Sequence, residues 1–415
     1  MILQKTTGID DETLRKALSE ELRNRGPLRR VLLLPPDFTR MYSYAGKITA
    51  ILYQLLNDSC TVDVMPALGT HRAMTQEECE TFFEGVVPYD SLLVHDWRHD
   101  VVKLGEVPAS FVREVSEGIC TEAIDVEVNR RIVDPSYDLI ISVGQVVPHE
   151  VVGMANYSKN IFVGCGGSSM INASHALGAF YGMERIMGRD HSPVRQVFDY
   201  AEEHFLCRVP LLYVMTCTTN RGDDVTLHGL FIGRERKNFE AAVGMSRDLN
   251  LTHVEKPLSK AVVYLDPREF QSTWLGNKAI YRTRMAIANG GELVILAPGI
   301  RRFGEDDECD RLIRKYGYCG REKVLELSAS CPDLQQNLSV AAHLIHGSSD
   351  GRFHITYCTE QVTEAEVRGV CFDWMPYADA AKKYDPAKLK DGYNTVDGEE
   401  IFYISNPALG LWSAD

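Results

Sequence analysis

Residues 30–40 read RVLLLPPDFTR and set the fold prediction for the chain. The stretch opens with an apolar run of strand length, and two prolines end it, because proline cannot continue a central strand. Polar side chains follow at once: the carboxylate of Asp37, the hydroxyl of Thr39 and the guanidinium of Arg40. The sequence therefore predicts a buried strand with functional groups just beyond its carboxyl end.

The same arrangement occurs twice more. A predicted strand over Thr61–Met65 leads to His71, and an apolar strand over Leu139–Val143 leads to His149. In open α/β sheets, ligands bind in the crevice beyond the carboxyl ends of the strands. We therefore expect the polar groups that follow these strands to converge on one site.

Strands and helices alternate along the chain, a pattern typical of α/β proteins with mostly parallel sheets. A helix is predicted over Asp10–Arg25, and Thr75 and Glu78 form a capping-box pattern at the start of another. Further predicted strands are Ile161–Gly164, Ala261–Leu265, Glu292–Ala297, Lys323–Leu327 and Phe353–Tyr357, and further predicted helices are Lys278–Ala288, Asp306–Lys315 and Leu334–Ile345.

A polar stretch at Leu249–Lys260 predicts a boundary between two α/β domains. We expect an N-terminal domain over residues 1–255 and a C-terminal domain over residues 261–395. Residues from about 396 to 415 could pack back on either domain, and we assign them to the first.

Composition excludes several classes of protein. The chain has 415 residues, with 44 Lys+Arg against 58 Asp+Glu and a net charge of −14. Such an acidic surface repels phosphate backbones, so no nucleic-acid partner is expected. No apolar run reaches the roughly 20 residues that span a bilayer, and the N-terminus does not read as a signal peptide. Eleven cysteines without a Cys-x-x-Cys pair indicate reduced thiols. We therefore expect a cytoplasmic protein with no membrane partner.

The first candidate residues each have a structural alternative. Arg40 suits a substrate carboxylate, which arginine binds with two parallel hydrogen bonds, but it would also be ordinary at the surface. Asp37 would also be ordinary as the cap of the next helix. His71 and His149 titrate near neutral pH and suit acid–base catalysis, although a histidine at a strand end is often structural.

Three later features also allow two interpretations. Lys159 precedes an apolar run and is either a desolvated nucleophile or a solvated lysine. The turn Gly164–Ser169 contains Gly166, Gly167 and Ser168, and its N–H groups either cradle a phosphate or only form a tight turn. His175 is either a metal ligand or a buried helix histidine.

Taken together, the clusters resemble the LarA family of nickel-pincer-nucleotide-dependent 2-hydroxyacid (lactate) racemases and epimerases. The similarity lies in the order and spacing of motifs over most of the chain. The matching positions are Asp37-Phe38-Thr39-Arg40, Gly69-Thr70-His71-Arg72, Pro148-His149 with Gly153, Lys159, His175, and Lys278 ahead of Gly290-Gly291.

The resemblance implies a cofactor and a role for each residue. The cofactor is the nickel-pincer nucleotide, a nickel pyridinium-3,5-bisthiocarboxylic acid mononucleotide, which Lys159 would hold covalently while His175 binds the nickel. Its further contacts would be Asp37, Thr39, Gly166, Gly167 and Ser168. Arg40 and Lys278 would bind the substrate carboxylate, with Trp274 as a neighbouring aromatic contact.

The resemblance also implies a reaction and a location for the site. His71 or His149 would take the hydroxyl proton as hydride leaves carbon 2, giving a planar 2-keto acid that is reduced on its other face. The active site would lie in the cleft between the two domains. The partners implied are a small 2-hydroxyacid and the enzymes that synthesise the cofactor.

The sequence departs from the family at two places that bear on the substrate. The run before Lys159 is Asn156-Tyr157-Ser158, where the family usually has glycines and a basic residue. Leu275 stands at the position of a lactate-contacting glutamine. The loss of this glutamine, with the presence of Arg301, Arg302 and Trp274, favours a larger polar acid such as an aldonate (gluconate) over lactate.

Other functions stay open at this point. Lactate or malate racemisation within the same family is one alternative, and a hydrolase or lyase with a His-ligated zinc is another. A non-catalytic hydroxyacid-binding protein is a third. The sequence predicts no oligomeric state.

Overall fold

The computed structural model describes residues 1–221, 224–408 and 410–414. The chain forms two compact units. The first contains Met1–Leu177 and Ile186–Asn250, and the second contains Gly178–Arg185 and the chain from Leu251 onward.

The first unit is a mixed α/β unit. Its strands are β1 (Ile2–Gln4), β2 (Arg30–Leu34), β3 (Thr61–Val64), β4 (Val101–Val107), β5 (Ile124–Asn129), β6 (Leu139–Gln145), β7 (Pro148–His149), β8 (Gly153–Met154), β9 (Leu211–Arg221) and β10 (Asp224–Ile232). Its helices are α1 (Asp11–Arg23), α2 (Ala45–Leu56), α3 (Gln76–Phe82), α4 (Ala109–Val115), α5 (Ser168–Tyr181), α6 (Met183–Ile186), α7 (Pro193–Phe205) and α8 (Arg236–Asn250), the last turns of α5 and most of α6 belonging to the second unit.

The central sheet of this unit has six strands in the order β1-β10-β9-β6-β2-β3. Strands β3, β2, β6 and β9 run parallel, while β10 and β1 add to the edge in antiparallel orientation. The sheet is covered on both faces, as the continuous apolar run of β2 predicts. Val31 and Leu33 pack into one core cluster, and Leu32 and Leu34 pack into the other.

The helix starts in this unit follow the capping signals in the sequence. The Asp10 side chain accepts a hydrogen bond from Thr13 N–H at 2.8 Å, and α1 begins at the next residue. The side chains of Thr75 and Glu78 form both hydrogen bonds of a capping box at α3. These contacts confirm both predicted helix starts.

The predicted strand Ile161–Gly164 is wrong. Residues Asn160–Gly164 form one wide helical turn, in which Cys165 N–H donates to the Asn160 carbonyl at 3.0 Å. Ile161 and Phe162 are fully buried. A short apolar run of this kind has the same appearance in a buried strand and in a buried helical turn, so the periodicity could not separate them.

The second unit is also α/β. Its strands are β11 (Leu251–His253), β12 (Leu258–Tyr264), β13 (Ile287–Ala297), β14 (His354–Thr359), β15 (Asp373–Pro376), β16 (Gly392–Val396), β17 (Glu399–Ile404) and β18 (Leu411–Ser413). Its helices are α9 (Thr273–Gly276), α10 (Lys278–Thr283), α11 (Asp307–Tyr316), α12 (Arg321–Ser330), α13 (Pro332–Gln335), α14 (Leu338–His346), α15 (Glu364–Gly369) and α16 (Tyr377–Lys383).

A second six-stranded sheet, in the order β15-β14-β13-β12-β17-β16, organises this unit. All of its strands are parallel to their neighbours except the edge strand β16. Strand β17 pairs with β12, and β18 pairs with β11, so residues 399–404 and 411–413 lie in the second unit and not on the first domain. Leu409 and Asp415, at the end of the predicted 396–415 segment, lie outside the described residues.

Three element predictions in the second unit need correction. Lys323–Leu327 is not a strand but part of α12, where Val324 is buried and Lys323 pairs with Glu326 across one helical turn at 3.0 Å. The helix from Lys278 ends at Thr283, because β13 starts at Ile287. The predicted helix Leu334–Ile345 divides into α13 and α14.

None of the helices in the described parts of the chain combines the length and the apolar character needed to cross a bilayer.

Candidate active site

Three neighbouring parallel strands bring the predicted polar clusters to one edge of the first sheet. Strand β2 lies between β6 and β3. The loop after β2 carries Asp37, the loop after β3 carries His71, and β6 leads to His149. Because parallel strands end at the same edge, this order places Asp37 on the middle of the three loops.

Asp37 and His71 form a close pair across two of these loops. The His71 Nδ1 atom lies 2.6 Å from Asp37 Oδ2. Asp37 is only 5% exposed, whereas the His71 side chain is 23% exposed. The arrangement holds the imidazole by a buried carboxylate and leaves its outer part accessible, as in a positioned general base.

The Asp37 carboxylate is held in its ionised form. Burial alone would raise its pKa, but the charge and hydrogen bond of His71 hold the pKa well below its usual range, with help from Arg40 and Thr39. The backbone N–H and the hydroxyl of Thr39 donate to Asp37 Oδ1 at 2.9 and 2.5 Å. Asp37 therefore also caps the short helix Phe38–Ser43, which confirms the structural interpretation of this residue, and its contact with a cofactor stays a prediction.

His149 is buried just beyond β6, with 8% of its surface exposed. Its Nδ1 atom accepts a hydrogen bond from Val151 N–H at 3.1 Å and lies 3.6 Å from Glu150 Oε2. The short pair β7–β8 fixes the turn, with His149 opposite Gly153. Gly153 is required there, because a Cβ atom on it would lie 2.1 Å from the Arg189 carbonyl oxygen.

Lys159 lies in the same part of the first unit. Burial, together with the charges of Arg40 and Arg195, lowers the pKa of Lys159 to about 8, while the carboxylates of Glu150 and Asp37 oppose the shift. These influences show that the amine lies within electrostatic reach of the loops that carry Asp37 and Glu150. An amine with this pKa is substantially neutral near pH 8 and is therefore nucleophilic.

His175 lies on α5 and is neutral at physiological pH. Burial lowers its pKa to about 4, and the Lys159 charge acts in the same direction, while a hydrogen bond to the Ile171 carbonyl opposes both. That bond joins Nδ1 to the carbonyl oxygen at 2.7 Å. Because Nδ1 donates, Nε2 carries the lone pair, which is the form of imidazole that binds metal ions.

The glycine turn before α5 has a clear packing role. A Cβ atom on Gly166 would lie 1.8 Å from the Phe162 carbonyl oxygen, and one on Gly167 would lie 2.3 Å from Glu127 Oε2. The same Glu127 oxygen accepts a hydrogen bond from Ser169 N–H at 3.0 Å. The Glu127 carboxylate thus accepts from one of the N–H groups at the start of α5, where an anion is stabilised. Contacts of Gly166, Gly167 and Ser168 with a cofactor stay a prediction.

The two predicted substrate contacts of the second unit lie on α9 and α10. The Lys278 ammonium group is 3.8 Å from Glu269 Oε1, and both side chains are almost fully buried. The Trp274 ring stacks on His343 with centroids 4.2 Å apart. The roles of Lys278 and Trp274 in substrate binding stay predictions.

Two residues near Lys159 were missed from the sequence. Arg195 on α7 is fully buried, and its guanidinium donates to the Met154 and Asn156 carbonyls at 2.7 and 3.0 Å and to Ser158 Oγ at 2.7 Å. An arginine within an amphipathic helix gives no signal of this role. Glu150, by contrast, directly follows His149, and that adjacency could have marked it.

The zinc alternative requires three protein ligands close to one another. Among the described residues, the only group of three or more His, Cys, Asp or Glu side chains at ligand spacing is Asp190, His191 and Glu240. It contains none of the three histidines predicted for the site. Within the part of the chain that the structure describes, no three-residue zinc site surrounds His71, His149 or His175.

Comparison with known proteins agrees with this geometry. The family model described as the lactate racemase N-terminal domain matches residues 9–186. Residues 9–186 belong to the LarA-type family. The match confirms the family resemblance drawn from the motifs, and the LarA-type segment contains every candidate site residue of the first unit.

Solved structures share the fold of the whole chain. A crystal structure of a protein from Thermotoga maritima is 24% identical, with a TM-score of 0.85, and the match covers 99% of both chains. The lactate racemase apoprotein from Thermoanaerobacterium thermosaccharolyticum is 16% identical, with a TM-score of 0.69, and the match covers 98% of this chain and 93% of that one. These similarities confirm the predicted α/β fold with mostly parallel sheets. None of the curated proteins compared with the chain matches it.

Proposed function

We propose that this LarA-type protein is a racemase or epimerase that inverts carbon 2 of a 2-hydroxyacid by reversible hydride transfer. The family of residues 9–186 supports a racemase or epimerase as the general class. The observation that carries the proposal is the grouping in one unit of the Asp37–His71 pair, a lysine with a lowered pKa and a neutral histidine.

The residues present fit a nickel-pincer nucleotide. The Lys159 amine, with its pKa of about 8, suits covalent attachment, and His175 presents the lone pair of Nε2 for nickel. When bound, this cofactor would accept a hydride from carbon 2 and return it, chemistry that no side chain supplies. We expect the chain to depend on the enzymes that synthesise this nucleotide.

The protein residues would bind the acid and move its hydroxyl proton. The Asp37 carboxylate orients the His71 imidazole, so that its other nitrogen can take the proton. Arg40, on the same loop as Asp37, would bind the substrate carboxylate, and Lys278 of the second unit would bind it too. Trp274 would contact the remainder of the substrate.

We propose a larger polar acid, such as an aldonate, as the substrate rather than lactate. The support is the sequence departure at Leu275, where an apolar side chain replaces the glutamine of the family pattern. Lactate and malate are the alternatives within the same reaction class.

The test uses the full chain, co-produced with the cofactor-synthesis enzymes. Single enantiomers of gluconate, lactate and malate, deuterated at carbon 2, would be incubated with the holoprotein, and the products separated by chiral chromatography. We expect one acid to be inverted with its deuterium retained, because hydride does not exchange with water. Loss of the deuterium to solvent would refute hydride transfer, and binding without inversion would indicate a binding protein.

Cofactor attachment is tested separately by mass spectrometry and nickel analysis. We expect a covalent adduct on the peptide containing Lys159, absent from Lys159→Ala, and loss of nickel from His175→Ala. A His175→Ala protein that stays nickel-loaded and active would refute the role of His175 as ligand.

A further inference from the structure

The short segment Gly164–Gly166, which we call the connector, lies between the two residues proposed to hold the cofactor. Lys159 stands directly before the wide helical turn Asn160–Gly164 that leads into the connector, and His175 follows on α5. Burial and the Lys159 charge both lower the pKa of His175, so the two groups lie within electrostatic reach of each other. A single cofactor bound to both side chains requires that the connector keep them at a fixed separation.

Two carbonyl groups of the connector are held by backbone N–H groups from other parts of the first unit. The Gly164 carbonyl accepts from Gly69 N–H at 2.8 Å, and Gly69 lies on the loop that carries His71. The Cys165 carbonyl accepts from the N–H of Asn129, at the end of β5, at 2.7 Å. The connector is therefore tied both to the loop of the candidate base and to a neighbouring strand.

The third carbonyl of the connector is held by a side chain, that of His95. Nε2 of His95 lies 3.1 Å from the Gly166 carbonyl oxygen, and His95 is only 3% exposed. Nδ1 of the same ring lies 3.0 Å from Nδ2 of Asn129, the residue whose N–H holds the Cys165 carbonyl. The buried pair of His95 and Asn129 thus holds two adjacent carbonyls of the connector.

The directions of the hydrogen bonds in this pair follow from its neighbours. Oδ1 of Asn129 accepts from Arg131 N–H at 3.0 Å, so Nδ2 is the donating side of the amide. That nitrogen donates to His95 Nδ1 at 3.0 Å and to Asp100 Oδ2 at 3.1 Å. Nδ1 of His95 therefore carries the lone pair, and Nε2 carries the proton that the Gly166 carbonyl accepts. Burial lowers the pKa of His95, which favours this neutral form of the ring.

We infer that His95 is a positioning residue that acts through the Gly166 carbonyl and sets the separation of Lys159 and His175 for a cofactor bound to both. The inference rests on the proposed function. The peptide group after Gly166 leads within two residues into α5, so its orientation sets the direction of that helix. The turn has little room to adjust by itself, since even a Cβ atom on Gly166 would lie 1.8 Å from the Phe162 carbonyl oxygen.

The test compares three variants of the full chain with the wild type. His95→Leu fills a similar volume but neither donates nor accepts, so the Gly166 carbonyl and the Asn129 amide each lose a partner. His95→Gln keeps an amide N–H for the Gly166 carbonyl and an amide oxygen for Asn129. Thr49→Val is the matched control, because it removes one buried hydrogen bond of the first unit, from the Thr49 hydroxyl to the Ala45 carbonyl at 2.8 Å within α2.

Hydrogen exchange in the cofactor-free proteins measures the connector directly. We expect exchange over residues 165–169 to be faster in His95→Leu than in the wild type, because the Gly166 carbonyl is no longer held. His95→Gln and Thr49→Val should exchange over these residues as the wild type does. Unchanged exchange there in His95→Leu would overturn the inference.

Nickel and the covalent adduct are then measured on the same proteins co-produced with the cofactor-synthesis enzymes. The Lys159 amine remains in every variant, so we expect the adduct on its peptide throughout. We expect His95→Leu to lose nickel to an added chelator about 10-fold faster than the wild type, and His95→Gln to stay within about 3-fold. Equal losses of adduct and nickel together, in Thr49→Val as in His95→Leu, would indicate general destabilisation and overturn the positioning role.

The failure of this inference can be distinguished from the failure of the proposed function. If the wild type carries both adduct and nickel while both His95 variants lose nickel at the wild-type rate, the positioning role is wrong and the proposed function stands. A wild-type protein with neither adduct nor nickel would refute the proposed function. Faster exchange over residues 165–169 in His95→Leu would then show that His95 supports the fold alone.

Discussion

Replacing Arg195 with methionine should loosen the segment that leads to Lys159. Arg195 is fully buried and donates to three acceptors on this segment, the Met154 and Asn156 carbonyls and Ser158 Oγ. Methionine fills much of the same volume but donates nothing. Each orphaned acceptor costs about 1–3 kcal/mol, and the lower figure applies where water can enter the vacated space.

Three acceptors at about 1 kcal/mol each give a loss of about 3 kcal/mol in unfolding free energy. For a unit of this size, 1 kcal/mol lowers Tm by about 2–4 °C, so the first unit should melt about 6–12 °C lower. Hydrogen exchange should quicken in residues 154–160 before it does elsewhere in the unit. Arg195→Lys keeps the charge and a single donating nitrogen, and its Tm should fall between those of the wild type and Arg195→Met.

Calorimetry and peptide-resolved hydrogen exchange measure both effects. Arg23→Met is the matched control, because it makes the same substitution at an exposed position at the end of α1. It should leave Tm within about 1 °C of the wild type. An Arg195→Met protein with unchanged Tm and unchanged exchange over residues 154–160 would show that these hydrogen bonds do not hold the segment.

Three further outcomes follow from the site. In the cofactor-free protein, the rate at which the Lys159 amine is acylated should rise with pH through a midpoint of about 8, because only the neutral amine reacts. Peptide mass spectrometry measures this rate, and a midpoint at the ordinary lysine pKa would contradict the burial of Lys159. His175 should stay neutral from pH 7 down to about 4, and an NMR titration with a midpoint near 6.5 would contradict its desolvation. Gly166→Ala should destabilise the cofactor-free chain by more than about 2 kcal/mol in urea unfolding, because its Cβ atom would meet the Phe162 carbonyl. The control is Gly244→Ala, at an open position within α8, which should stabilise the chain by up to about 1 kcal/mol. Equal effects of the two substitutions would contradict the packing role of Gly166.

The sequence predicted the parts of the site that depend on strand ends. The strands before Asp37, His71 and His149 have a clear apolar pattern in the sequence. Because these strands are parallel neighbours, their carboxyl ends lie at the same edge of the sheet. Local capping signals also sufficed for α1 and α3. These features depend on short stretches of chain, so the hydrophobic periodicity and the capping residues are sufficient to predict them.

The features that the sequence could not predict depend on contacts between distant segments. Glu127 is far from the turn before α5 in sequence, yet its carboxylate occupies a donor of that helix start. Arg195 lies 36 positions after Lys159, and nothing in an amphipathic helix marks one arginine as buried.

The departure from glycine before Lys159 has a structural explanation. Asn156 and Tyr157 both adopt left-handed backbone conformations, with φ of 66° and 57°. Asparagine tolerates this region, but a tyrosine there is strained by about 1–2 kcal/mol. The Tyr157 ring offsets that strain by stacking on Phe239, with centroids 4.9 Å apart, and its hydroxyl donates to the Arg234 carbonyl at 2.8 Å.

Packing therefore does in this chain what glycine would do by conformational freedom alone. Glycine at these positions would adopt the same dihedral angles without strain, but the segment could then also adopt other backbone conformations. The bulky ring and the buried guanidinium of Arg195 instead hold the strained conformation from two sides, since that guanidinium also lies over the Phe239 ring at 4.5 Å. The position of Lys159 thus depends on the packing of Tyr157, Phe239 and Arg195, and substitutions of Tyr157 or Phe239 should quicken hydrogen exchange over residues 154–160 as Arg195→Met does.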